Sequence, residues 1–126
     1  MKILGIGVDI IKNNRIKSSL KNKKFINRIY SKNELKNSIT VKNKINYFSK
    51  RFAAKEAFAK ALGVGISKGI SFNEISVINN KNGAPFIELL GKTKSITKNL
   101  IKTKNKIYLS LSDEKKYALA MVIISQ

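Results

Sequence analysis

Residues 47–63 read YFSKRFAAKEAFAKALG. The run is rich in alanine, lysine and phenylalanine, and Gly63 stands where a left-handed C-terminal residue belongs, so a helix is predicted over Tyr47–Leu62. Gly63-Val64-Gly65 then gives a flexible turn. Arg51, Lys55, Glu56 and Lys60 fall within three turns of this helix, with Glu56 and Lys60 at i,i+4 in the favourable order. The plain reading is an exposed ion pair, worth about 0.3–0.5 kcal/mol. Against it, Phe52, Ala53, Ala57 and Ala59 leave little solvated polar face around Glu56. A carboxylate placed amid apolar residues, in a chain with only seven, is a candidate for chemistry.

Upstream, Lys2–Ile10 (KILGIGVDI) alternates as a strand. Leu4, Ile6, Val8 and Ile10 point one way; Ile3, Gly5, Gly7 and Asp9 point the other. The second face is nearly bare and ends in a carboxylate. Glycine inside a strand often marks close approach of another backbone or a ligand, which makes Asp9 a candidate site residue. The plain alternative is an aspartate that starts a turn. Asn13–Tyr30 has a helical, basic pattern with Ile16, Leu20, Phe25, Ile26 and Ile29 inward. Ser31-Lys32-Asn33-Glu34 fits a capping box, which gives Glu34 a structural role. Thr40–Lys44 reads as a loop.

Downstream, Ser71–Ile78 reads as a strand, Asn79–Gly83 as a turn, and a new strand begins at Phe86 after the sole proline, Pro85. A short helix is predicted over Lys94–Ile101, an alternating strand over Ile107–Ser112, a turn over Asp113–Lys116 and a final, mostly buried strand over Tyr117–Ile124. Asn82-Gly83-Ala84-Pro85 is a plain hairpin turn on its own, or a place where backbone N–H groups meet a phosphate or a purine edge. The whole is α+β: a small antiparallel sheet packed with a long central helix and shorter helices, in a single domain over residues 1–126.

Composition narrows the chemistry. The chain has neither cysteine nor histidine. Disulfides, thiol nucleophiles, ordinary zinc sites and Ser-His-Asp arrangements are excluded. A catalytic metal must be held by oxygen, which points to a hard cation such as magnesium. The 26 basic residues outnumber 7 acidic ones, for a net charge of +19, and only Arg15, Arg28 and Arg51 are arginines. That balance fits a nucleic-acid-binding module, or a lysine-rich composition shared with abundant asparagine and isoleucine. In either case it attracts an acidic partner. The short apolar N-terminus contains Asp9 and is not a signal peptide, and no apolar run reaches a membrane span, so a cytoplasmic protein is expected.

Taken in order, GIGVDI with Arg15 and Ile16 following, RFAAKEAFAKALGVGI, SFNEISV, NGAPFIEL and LSLSDEKKYALAMVI resemble the holo-acyl-carrier-protein synthases. These are the 4′-phosphopantetheinyl transferases of bacterial fatty-acid biosynthesis and lipid metabolism. The resemblance runs from Gly5 to about Ile124. It implies a homotrimer with active sites in the clefts between subunits. Asp9 and Glu56 match the ligands of a magnesium ion that also binds the pyrophosphate of coenzyme A. Lys60 matches a lysine on the phosphates, and Arg51 an arginine at the nucleotide end. Gly63, Asn82, Gly83, Ala84 and Pro85 match coenzyme A contacts, some reaching across from a neighbour. Arg15 matches a basic position that meets the acidic acyl carrier protein.

The implied reaction moves 4′-phosphopantetheine from coenzyme A to a carrier serine, releasing 3′,5′-ADP. Glu56 takes the serine proton, directly or through a metal-bound water, and Lys60 stabilises charge on the phosphates. Many relatives carry histidine where this chain has Asp113, which puts a coenzyme A contact there in doubt, and Asp113 is kept out of the catalytic set. Two other readings stay open: a nucleic-acid module using the lysines of Lys12–Lys44, and an inactive relative that still binds coenzyme A. Retention of Asp9, Glu56 and Lys60 argues against the inactive relative.

Overall fold

In a computed structural model, which describes residues 1–63 and 68–126, strand β1 (Ile3–Lys12) lies under a long helix, α4 (Lys44–Leu62). The bare face of β1 makes this possible. A Cβ on Gly5 would fall on the Ala61 carbonyl oxygen, and one on Gly7 on that of Ala57. The helix meets the strand through its own alanines, Ala53, Ala54, Ala57 and Ala61, all buried. The opposite face of β1 is apolar and exposed: Ile6, Val8 and Ile10 are each more than half accessible.

Three short helices follow β1: α1 (Asn13–Ser19), α2 (Lys23–Ile29) and α3 (Lys32–Ser38). The helical pattern of Asn13–Tyr30 is thus two helices. Asn22 breaks it by taking an extended backbone and accepting from the N–H groups of Lys24 and Phe25. The capping box at Ser31–Glu34 forms as predicted. Helix α4 starts at Lys44, capped by the Asn43 side chain, and ends at Gly63 in the left-handed region. Val64 and Gly65, the rest of the expected turn, lie outside the described residues.

After α4 come a 3₁₀ turn (Phe72–Glu74), β2 (Ile75–Asn79), β3 (Pro85–Leu89), α5 (Gly91–Leu100), β4 (Lys106–Asp113) and β5 (Tyr117–Ser125). The strand expected from Ser71 begins only at Ile75. Helix α5 starts three residues earlier than expected because Glu74 accepts from the backbone N–H groups of Lys92 and Thr93 and from the Thr93 hydroxyl. The strands form two antiparallel sheets, β1-β5-β4 and the hairpin β2-β3.

Register explains the two faces of the larger sheet. Gly7, Val122 and Leu109 form one row across it, and Asp9, Ala120 and Leu111 the next; both face α4. The intervening rows, Val8-Met121-Ser110 and Ile10-Leu119-Ser112, face away. Strand β5 is therefore buried on one side only, not mostly buried: Ala118, Ala120 and Val122 are inaccessible, while Tyr117, Leu119 and Met121 are exposed.

On the far side of α4 the chain buries an ion pair. Lys55 Nζ donates to Glu34 Oε1 (2.8 Å), to the Phe72 carbonyl (2.9 Å) and to the Ile75 carbonyl, and both side chains are wholly buried. Glu34 also accepts from the N–H groups of Ser31 and Val77. All three ammonium protons are thus used. Burial pushes the Lys55 amine down to about 8, with Glu34 opposing the shift. The pair ties α3, α4 and β2 together.

The two kinds of glycine separate under substitution. Gly7→Ala is expected to cost about 3 kcal/mol or more, since backbone rather than a mobile side chain blocks the new methyl group. Gly63→Ala meets no neighbouring atom and loses only its left-handed preference, about 1 kcal/mol. Urea unfolding of the two variants measures the difference.

Candidate active site

The close packing of β1 on α4 sets Asp9 beside the last turns of the helix. Lys60 Nζ donates to Asp9 Oδ1 (3.2 Å) and to the Val8 carbonyl (3.0 Å). The plain reading of Glu56 and Lys60 as an exposed i,i+4 ion pair does not hold; Lys60 turns to β1 instead. Glu56, half-buried one turn earlier, has its carboxyl held above the ordinary glutamate range. Partial burial is the main cause and the charge of Asp9 the second, with Lys60 and Arg15 opposing. Arg15 is exposed on α1.

Among the described residues no cluster of three or more metal-ligating side chains forms. Two neighbouring carboxylates suit a magnesium ion, which keeps waters and shares a substrate's phosphates. The residues fit that ion in another way: an ammonium already stands in for a cation on Asp9.

Arg51 occupies a different place. It is 6% exposed, lies 3.7 Å from the centre of the Tyr47 ring, and its Nε has no hydrogen-bond partner. Among the described residues no carboxylate pairs with it, and burial lowers its pKa. Its Nη1 donates to the Tyr47 carbonyl (3.4 Å), but a buried guanidinium with no counter-charge is costly unless an anion arrives. Arg51 borders a cavity of about 290 Å³ with Lys50, Asn79, Gly83, Pro85 and Ser110. A second cavity, of about 770 Å³, adjoins it and adds Lys36, Lys42 and Asn46. A larger one, about 960 Å³ between β3, α5 and β4, includes none of the candidate residues.

The turn at Asn82–Pro85 corrects one expectation. Its N–H groups are not free: those of Asn82 and Ala84 donate to Asn80 Oδ1, and that of Gly83 to the Asn80 carbonyl. Proline has no N–H at all. The Ala84 carbonyl accepts from the Asn80 N–H (2.8 Å); the exposed Asn82 side chain remains, and its amide oxygen suits the amino edge of a purine better than a phosphate.

The candidate residues therefore form two groups. Arg51 and Lys60 are nine residues apart, about 180° around α4 and about 13 Å along it. Asp9, Glu56 and Lys60 gather on the β1 side. Arg51, Gly83 and Pro85 gather on the hairpin side. Gly63 is exposed at the end of the helix.

The family profile of the 4′-phosphopantetheinyl transferase superfamily matches residues 5–122. The chain belongs to this superfamily, among the holo-acyl-carrier-protein synthases. The holo-acyl-carrier-protein synthase of Pelagibacter ubique is 49% identical over 127 residues, covering 100% of this chain and 99% of that protein. Among solved structures, the synthase from Neisseria meningitidis is 36% identical with a TM-score of 0.88, covering 98% of this chain and 99% of that one. The Bacillus anthracis synthase, in complex with coenzyme A (3′,5′-ADP), is also 36% identical, with a TM-score of 0.82 over 100% and 99%. These likenesses make the chain an enzyme of the synthase type and its fold that of the synthase structures.

Within the synthase frame, Asp113 has a definite place. Its carboxylate accepts from Asn46 Nδ2 (2.9 Å) and lies 3.6 Å from Lys50 Nζ, tying the end of β4 to the start of α4. Sequence reasoning passed over Lys50 and Tyr47, which wall the Arg51 site. Lys50 carried no signal amid so many lysines. Tyr47, one helical turn before Arg51, did.

The raised Glu56 carboxyl carries a stability consequence. Its ionisation opposes folding, so the cost is absent below the ordinary glutamate range and complete above the folded-state value. Glu56→Gln in the metal-free protein should raise Tm at neutral pH, and the gain should vanish as pH falls through the carboxylate range. Thermal unfolding at a series of pH values checks this.

Proposed function

We propose that residues 1–126 form one phosphopantetheinyl transferase domain that moves 4′-phosphopantetheine from coenzyme A to a serine of an apo-acyl carrier protein. The observation that carries this reading is the Asp9–Glu56 pair beneath the Lys60 ammonium, in a chain with no histidine or cysteine. The serine oxygen attacks the β-phosphorus, and the bond to the bridging oxygen breaks. 3′,5′-ADP leaves, and the serine proton is taken up. Glu56, whose carboxyl holds a proton more readily than usual, is the base within reach of this site, directly or through a water. Lys60 places its positive charge on the phosphates.

Asp9 and Glu56 would hold magnesium, whose charge neutralises the pyrophosphate. The unpaired Arg51 guanidinium receives the nucleotide end, and the Asn82–Pro85 turn receives the purine. Arg15, exposed beside the Glu56 side of the site, meets the acidic carrier.

The two groups of residues on opposite faces of α4 support an assembly. One extended ligand reaches both only by wrapping the helix or by lying between two copies. The exposed apolar face of the larger sheet supplies a surface for the second arrangement: Ile6, Val8, Ile10, Leu119 and Met121 sit there without cover. We read this as the contact of a homotrimer whose sites lie between subunits.

Intact mass of an apo-acyl carrier protein after incubation with this protein, coenzyme A and magnesium tests the activity. The expected result is a gain of one phosphopantetheine, lost with a chelator and slowed by at least about 100-fold in Asp9→Ala or Glu56→Ala. No gain from a folded protein across several carriers would overturn it. A second experiment tests the shared site. Glu56→Ala and Arg51→Ala subunits, inactive separately, should regain activity when exchanged into mixed oligomers. Mixed oligomers without activity, with exchange verified by native mass spectrometry, would place each site within one chain.

A further inference from the structure

The contact between Lys60 and Asp9 has a direction. Asp9 is 16% exposed and the Lys60 side chain 55% exposed. Lys60 reaches down from solvent onto a nearly covered carboxylate, fixed by a second bond to the Val8 carbonyl. It passes over the half-buried carboxylate one helical turn away, Glu56. Arg15 faces the same group of charges from α1, yet makes no hydrogen bond to Asp9 among the described contacts. Asp9 therefore has one ammonium as its counter-ion among the described contacts, on the carboxylate proposed to hold the metal.

We propose that Lys60 is a resident counter-ion that makes metal loading conditional on the phosphate ligand. The inference rests on the reading that Asp9 and Glu56 hold magnesium and that Lys60 meets a phosphate. An ammonium and a divalent cation on one carboxylate repel at short range, so metal binding competes with the Lys60 contact. A pyrophosphate offers Lys60 a second partner through charge-assisted hydrogen bonds. The long, half-exposed side chain moves to it without disturbing the helix. Asp9 is then uncovered at the moment that phosphate oxygens arrive to share the cation. Because binding free energies are linked, metal and ligand raise each other's affinity by one factor. Lys60 enlarges that factor by weakening metal binding when no ligand is present, which holds the free enzyme metal-poor until its substrate is seated.

The test uses manganese alone on the full chain without coenzyme A, followed by electron paramagnetic resonance. Lys60→Met should tighten manganese binding about fivefold, the worth of a partly exposed ion pair. Lys60→Gln should do the same, and Arg15→Gln, which removes a nearby charge but no contact to Asp9, should change it less than about twofold. With coenzyme A added, the gain in manganese affinity should be smaller in Lys60→Met than in the parent chain. Equal affinities in the parent and both Lys60 variants, with Asp9→Asn abolishing binding in all, would overturn the inference and leave the metal site standing. An equal rise in Arg15→Gln would reduce the effect to general charge and also overturn it. Manganese binding indifferent to both Asp9→Asn and Glu56→Gln would overturn the metal reading itself.

Discussion

The contact between the backbone of β1 and the backbone of α4 governs the rest of the molecule. Gly5 and Gly7 leave no side chain between strand and helix, so the carbonyl groups of Ala61 and Ala57 press directly on the strand. Only at that spacing does Lys60 reach both Val8 and Asp9, and only there does the charge of Asp9 register on Glu56. A conventional strand would hold the helix away by the width of a methyl group or more. The chemistry would be parted even with every candidate residue retained. The alanines of α4 and β5 serve the same end, filling the gap with the smallest side chains that still exclude water.

The other face of α4 is organised by charge rather than by small residues. A buried ion pair is a poor source of net stability, because desolvation offsets attraction, yet it specifies geometry when every donor is used. Lys55 and Glu34 meet that condition. Lys55 takes two carbonyl groups from the segment leading into β2, and Glu34 takes the N–H of Val77 within β2. The same α3 residue accepts the Tyr47 hydroxyl on its carbonyl, and Tyr47 carries Arg51 on its ring. One polar network thus sets the hairpin that bears Asn82–Pro85 relative to the guanidinium that shares its cavity.

Much of this was legible in the residues themselves. The bare face of β1 announced a close approach before any partner was known, and the Ser31–Glu34 box and the Gly63 cap follow from local backbone rules that tertiary context did not override. What was missed depended on long-range geometry. Nothing in the spacing of Lys55 distinguishes a wholly buried lysine from its solvated neighbours, since its partners lie 17 to 21 residues away. The Glu56–Lys60 pairing was a sound helix rule defeated by a better acceptor on another strand. The N–H groups of the Asn82–Ala84 turn looked free because Asn80, which takes them, counted as just another turn residue. The exposed side of β5 was invisible, because apolar residues facing a partner and apolar residues facing a core read alike.

That last ambiguity bears on how the enzyme is built. A largely apolar sheet face, uncovered among the described residues, is a liability for a monomer and suits an assembly. The row Val8-Met121-Ser110 belongs to it, while the next row, Asp9-Ala120-Leu111, belongs to the site side. Strand β1 therefore carries the Asp9 carboxylate and the uncovered apolar side chains of Val8 and Ile10 on alternate residues, one peptide unit apart. Helix α4 is divided in the same way, with Glu56 and Lys60 toward β1 and Arg51 toward the hairpin. A chain of 126 residues has little depth for a private cleft. In the proposed assembly, candidate residues on the two sides of one helix, joined from two copies, would give it a long binding surface without a larger core.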